Sequence, residues 1–277
     1  MGDRLRRLSI YLWLMLSFLV ALAAAIILMP ASGGLRPTTL SGALAASSGI
    51  AAFFVIAAFS PARREPRART IWFLFALGIL GWFGCKVSTF YHVSRWGTLS
   101  LSPGYPDLLC GVGSALIIAA LLIKVARRPR RVSPQAVAGA LAAAALALIV
   151  VANFVIAPAL RNPALTPWER FRDCFLAVAD FGLGALALVI IAIYGGQGMG
   201  RPWVQVAVGL IFYAVGDAIY WHLAEAGLYG PAGNLVTALF WTAGYLLIGL
   251  GAYYRRLVFK GVIRFPPAES EGEAQSP

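Results

Sequence analysis

Three ionisable residues, Lys86, Asp180 and Asp217, stand inside long apolar stretches of this sequence. A charge at the centre of a bilayer costs roughly 2.5–3.5 kcal/mol on insertion scales, so each of them needs a partner or a water-filled cavity. Brought together, the ammonium is satisfied and one negative charge is left to be met by a proton or a bound cation. That is the chemistry of ligand binding or ion coupling rather than of a nucleophile.

Helical spacing gives these charges surroundings. Asp173, Ala177, Asp180 and Gly184 recur every three or four residues, a small and acidic face expected to turn towards a bundle interior. Tyr213, Asp217 and Tyr220 form a second stripe, and Trp82, Lys86 and Thr89 a third. Lys86, Asp180, Asp217, Tyr213, Tyr220, Trp82 and Asp173 are therefore the candidate ligand-binding residues of a pocket with aromatic walls. The competing reading is a buried ion-pair network that only fixes helix packing.

Other chemistry is less favoured. His92 and His222 suit a haem or metal, but each has an aromatic neighbour near a helix end, where an interfacial histidine needs no ligand, so no metal or cofactor is expected. A buried lysine raises retinal, yet microbial rhodopsins carry the Schiff-base lysine on their last helix and the last apolar run here has none. Cys85, Cys110 and Cys174 lack CxxC or ligand spacing and read as small packing residues, with a Cys110 to Cys174 bridge as the alternative. No GxSxG, HExxH or P-loop pattern occurs, and the reading leans away from an enzyme.

The elements that must hold these residues are transmembrane helices. Of the 277 residues, 60% are hydrophobic and 12% charged, whereas a soluble domain is about 25% charged. Apolar runs of membrane-spanning length recur at 10–29, 40–59, 71–93, 108–125, 137–156, 171–194, 203–223 and 235–254. The expectation is an all-α polytopic membrane protein of about eight spans: one membrane domain over 1–264 and a disordered cytoplasmic tail over 265–277. The run 10–29 is long for a signal peptide, although Arg4, Arg6 and Arg7 precede it, and is read as a retained helix.

The net charge of +12 does not indicate nucleic acid, because the basic residues sit in short loops between apolar runs. Seventeen lie in the N-terminal segment, the even loops and the C-terminal segment, and 5 in the odd loops. The positive-inside rule then places both termini in the cytoplasm of a plasma (inner) membrane protein. From the ends of their spans, Lys86 and Asp217 lie roughly 21–23 Å up and Asp180 roughly 14 Å down, all in the outer half.

Local signals mark helix starts. Thr166, Pro167 and Glu169 form a capping box with proline at the first helical position, and Asp107 and Asn234 read as N-caps. Offsets near 128 to 131 place Pro30 on Pro158, Trp72 on Trp203, Gly78 on Gly209, Tyr91 and His92 on Trp221 and His222, Pro103 on Pro231, and Arg127 and Arg128 on Arg255 and Arg256. Four spans between copies keep one orientation, which implies two parallel four-helix repeats, 1–131 and 132–264.

Residues 179–254 resemble the polytopic membrane input domains that precede diguanylate cyclase or histidine kinase modules in bacteria. The likeness rests on Asp180 with Leu183 and Leu186, on Tyr213 to Tyr220 around Asp217, on Leu228, Tyr229, Gly230, Pro231 and Gly233, and on Trp241, Gly244 and Tyr245. Ser102, Pro103, Tyr105, Pro106, Asp107 and Leu108 are similar to a helix-opening turn in the first half of those domains. Two departures stand out: no output module follows within the sequence, and Lys86 occupies a region where those domains more often carry an acidic or neutral residue. The resemblance implies a sensor that signals through a cytoplasmic or membrane partner. The expected function is thus a non-catalytic sensor or ligand-binding module, with the lipid bilayer, a small ligand and a signalling partner as its contacts. A small proton-coupled transporter is the alternative.

Overall fold

The computed structural model describes residues 17, 18, 20, 21, 35–62, 66–96, 104–127, 134–163, 165–195, 200–225 and 231–259. These residues are almost entirely helical, with no strand among them. The principal helices are α1 (Leu35–Ala62), α2 (Pro66–Trp96), α3 (Tyr105–Ala126), α4 (Pro134–Val151), α5 (Pro167–Tyr194), α6 (Arg201–Glu225) and α7 (Pro231–Phe259). Helix α4 continues through a π-helical turn, Ala152–Ile156, into a last helical stretch, Ala157–Arg161. Pro158 lies just past that turn: it lacks an N–H and crowds the carbonyl four residues back, which a locally widened helix relieves.

Six of these helices, α1, α2, α3, α5, α6 and α7, are long and apolar enough to cross a membrane. The apolar run at 10–29 and the tail at 265–277 lie outside the described residues. The run at 137–156 is helical, and its uninterrupted apolar stretch among the described residues is Leu141–Val151. Large apolar side chains such as Phe53, Phe73, Val112, Leu122 and Val178 are exposed, as expected of surfaces solvated by lipid.

Small residues let the helices approach closely. A Cβ on Gly78 would stand 2.7 Å from the carbonyl oxygen of Gly113, and one on Gly113 would stand 2.7 Å from that of Gly78, so α2 and α3 touch backbone to backbone. Helices α6 and α7 do the same, with a Cβ on Gly209 meeting Gly244 O at 2.7 Å and one on Gly244 meeting Gly209 O at 2.8 Å. Around these two hairpins, α1 packs on α2 and α7, and α5 packs on α6 and α3. Helix α4 lies outside them against α5.

Two buried aromatic groups fill the middle of the bundle. Trp72 lies against Trp203 at 4.8 Å between ring centroids, with Phe75 at 5.9 Å from both. Further along, Trp82 stacks on Tyr213 at 4.3 Å, and Tyr245 meets both edge-on. Polar residues inside α1 cause no breaks, because Ser41, Ser47 and Ser48 donate to carbonyls three or four residues back.

The capping expectations meet mixed outcomes. Thr166 Oγ1 accepts from the Glu169 N–H and the Glu169 carboxylate accepts from Thr166 N, with Pro167 at the first position of α5. Asp107 is not the N-cap of α3: Gly104 is, and Asp107 stands three residues on, its Oδ2 accepting from Gly104 N at 3.4 Å. Asn234 is not an N-cap either, since α7 starts three residues earlier at Pro231. In both places a proline opens the helix earlier, at a position where its missing N–H costs nothing.

Candidate functional site

At one end of the bundle the helices splay around a cavity of about 1000 Å³. Its mouth is formed by the C-terminal parts of α2 and α6, the N-terminal parts of α1, α3, α5 and α7, and Pro158, Ala159 and Asn162 beyond α4. The stacked pair Trp82 and Tyr213 stands at its floor, where Tyr213 lines the cavity and Trp82 lies behind it. Trp82 is held by its indole N–H, which donates to the cavity-lining Ser114 Oγ at 3.0 Å.

Six of the seven residues singled out by sequence line this cavity: Lys86, Asp173, Asp180, Tyr213, Asp217 and Tyr220. Asp173, Asp180 and Asp217 are 7%, 7% and 6% exposed, so each carboxyl is nearly enclosed. Asp180 and Asp217 adjoin each other, and Lys86 lies within electrostatic reach of both. The lysine makes no direct ion pair with either among the described residues; its Nζ lies over the Trp241 ring, 5.1 Å from the centroid. Asp217 Oδ1 accepts from Trp241 Nε1 at 2.8 Å, while Oδ2 is buried and has no donor.

A second charged group sits closer to the mouth. Arg172 Nε donates to Asp173 Oδ1 at 2.7 Å, and its Nη1 lies 3.6 Å from Asp107 Oδ2. One guanidinium thereby bridges the starts of α5 and α3. In the sequence Arg172 reads as a loop charge and Asp107 as a helix cap, so neither stands among the candidate ligand-binding residues. The signal in the sequence is the adjacency of Arg172 to Asp173.

Cys85 and Cys110 form a disulfide between α2 and α3 with Cα atoms 5.5 Å apart, and both line the cavity. Cys110 therefore does not pair with Cys174, which is free and half-buried on α5. The close approach of Gly78 and Gly81 to Gly113 keeps the two helices within bridging distance at Cys85 and Cys110. His92 lines the cavity rim with its ring 4.7 Å from that of Trp96, and His222 is exposed. Among the described residues no group of three or more His, Cys, Asp or Glu gathers in a way that could hold a metal ion.

The opposite end is basic and has its own aromatic contacts. Lys124 Nζ lies over Tyr194 at 4.2 Å and over Trp203 at 5.3 Å, and Arg255 lies over Trp72 at 5.0 Å. Arg127, Arg201 and Arg256 are at the same end. Comparison with protein-family models, curated proteins and solved structures returns no match.

Proposed function

We propose that this chain is a multi-pass membrane module that binds a small ligand in a cavity facing outwards and passes the event to a partner without catalysis of its own. The observation behind this reading is Asp217, a carboxyl 6% exposed on a cavity wall, with one oxygen tied to Trp241 and the other lacking a donor. A network whose only task was to lock helices would satisfy that oxygen, since buried polar atoms without partners are rare and costly. A ligand donor supplies what is missing.

The outward orientation is supported by charge. Lys124, Arg127, Arg201, Arg255 and Arg256 mark the end remote from the cavity, which the positive-inside rule assigns to the cytoplasm. On this reading the run 10–29 is a first span and 137–156 a fifth, making eight, and the basic end is where a signalling partner docks. The likeness to bacterial input domains fits such a division of labour.

A screen by thermal shift on purified protein tests the proposal. A ligand present at a hundred times its Kd adds about 2.7 kcal/mol to the stability of the state that binds it. Compounds that stabilise the wild type should lose that effect in Asp217→Asn; identical shifts in both proteins for every hit would remove the cavity from the account.

A two-fold pattern in sequence and packing supports a second reading, a proton-coupled transporter built from two parallel repeats. At a constant offset of 131, Trp72 falls on Trp203, Gly78 on Gly209, Trp82 on Tyr213, Lys86 on Asp217, Gly113 on Gly244 and Lys124 on Arg255. The crossed contacts of Lys124 with Trp203 and of Arg255 with Trp72 are what a two-fold axis along the membrane normal produces. The exchange of α1 for α5 in otherwise matching packing agrees with it. Proteoliposomes with an imposed pH gradient separate the readings: a sensor carries no flux, whereas uptake coupled to the gradient supports transport.

A further inference from the structure

We propose that the ligand is a small organic ammonium, its charged head between Asp180 and Asp217 and its apolar body along Tyr220 and Trp241. This deepens the ligand-binding reading and rests on it. Charge is the first argument. At the mouth, Arg172 touches both Asp107 and Asp173, one cation against two carboxyls. Deeper in, Lys86 alone faces the two adjoining carboxyls of Asp180 and Asp217, so the described residues of the cavity set four carboxyls against two cations, an excess that protons or a bound cation must meet. An anionic ligand would worsen that imbalance and a cation reduces it.

Hydrogen bonding is the second argument. Asp217 Oδ2 has no N–H donor, and the Asp180 carboxyl beside it can give it a bond only while it holds a proton. What this place lacks is a positively charged group with N–H bonds to give, and an ammonium has both. Such bonds are short and about twice as strong as neutral ones.

The wall chemistry decides between an organic cation and a metal ion. Hard metal ions collect six or more oxygens, while only two carboxyls converge here and the remaining neighbours include the rings of Tyr213, Tyr220 and Trp241. Aromatic faces attract ammonium groups and at the same time cover an alkyl or aryl body. A cavity of about 1000 Å³ has room for a molecule of that kind.

The test uses the full-length protein in nanodiscs and three probes of similar shape: 2-phenylethylammonium, 2-phenylethanol and 3-phenylpropionate, with binding read by tryptophan fluorescence and calorimetry. The ammonium should bind at least tenfold more tightly than the alcohol, and the carboxylate should not bind. Asp217→Asn should weaken the ammonium at least tenfold and leave the alcohol unchanged. Asp180→Asn serves as the second variant, and elution profile and circular dichroism show whether each variant folds. Equal or tighter binding of the alcohol or the carboxylate would overturn the cationic class while leaving a ligand-binding cavity in place. If none of the three binds, the cationic class is overturned as well, and the thermal-shift screen then decides whether the cavity reading stands.

Discussion

The hairpins α2–α3 and α6–α7 share a scaffold and differ in what they present to the cavity. Gly78 lies against Gly113 as Gly209 lies against Gly244, and a Cβ on Gly78 or Gly209 would meet Ile117 or Ile248 respectively. Further along, the first hairpin offers Lys86 and joins its helices through Cys85 and Cys110. The second offers Asp217 and joins its helices through the Trp241 indole, with Gly216 making room for that ring. Backbone contact at the glycines sets how the helices lean, and the residues beyond are then free to carry opposite charges. The site is a difference laid over a common frame.

Reversing the charges strikes hardest at that comparison. Lys86→Asp places a third carboxyl beside Asp180 and Asp217 and should cost about 3–5 kcal/mol, the size of leaving buried charge uncompensated. Combining it with Asp217→Lys should recover more than half of the loss if the two positions are equivalent, as measured by unfolding in mixed micelles. A swap no more stable than Lys86→Asp alone would end the equivalence.

Next in size is the frame itself. Gly78→Val and Gly209→Val each force backbones apart and should destabilise by roughly 1–3 kcal/mol, and by similar amounts in the two hairpins. Gly139→Ala on α4 is the control, since a Cβ there meets nothing within 4 Å. Markedly unequal losses at Gly78 and Gly209 would show that only one hairpin depends on close contact.

The smallest effect sharpens the contrast between the two indoles. Trp241 donates to a carboxylate and Trp82 to a hydroxyl. Bonds to charged groups are the stronger, so Trp241→Phe should cost about 1 kcal/mol more than Trp82→Phe in the same unfolding assay. Equal losses would mean that the Asp217 bond carries no charge-assisted strength.

Much of this was written locally in the chain. The start of α5 follows from Thr166, Pro167 and Glu169 alone, because capping is decided within one turn. Lys86, Asp180 and Asp217 announced themselves because ions in apolar runs are costly, and the structure brings them to one cavity. Features that depend on how helices lean were not legible. The Cys85 to Cys110 bridge needs the Gly78 and Gly113 contact, and spacing along the chain does not reveal it. The grip of Arg172 on Asp107 joins two helices far apart in sequence. The N-caps expected at Asp107 and Asn234 failed because prolines at Pro106 and Pro231 open those helices earlier.

On the ligand-binding reading proposed above, buried charge is tolerated because it borders a cavity that water enters from outside. Leu176 and Val178 sit two residues apart on α5, the first lining the cavity and the second 45% exposed on the outer face of the bundle. In a Cys174→Ser background, Leu176→Cys and Val178→Cys are treated in intact cells with a charged, membrane-impermeant methanethiosulfonate. Leu176→Cys should react rapidly and Val178→Cys should not. Failure of Leu176→Cys to react, or equal reaction at both sites, would contradict the account.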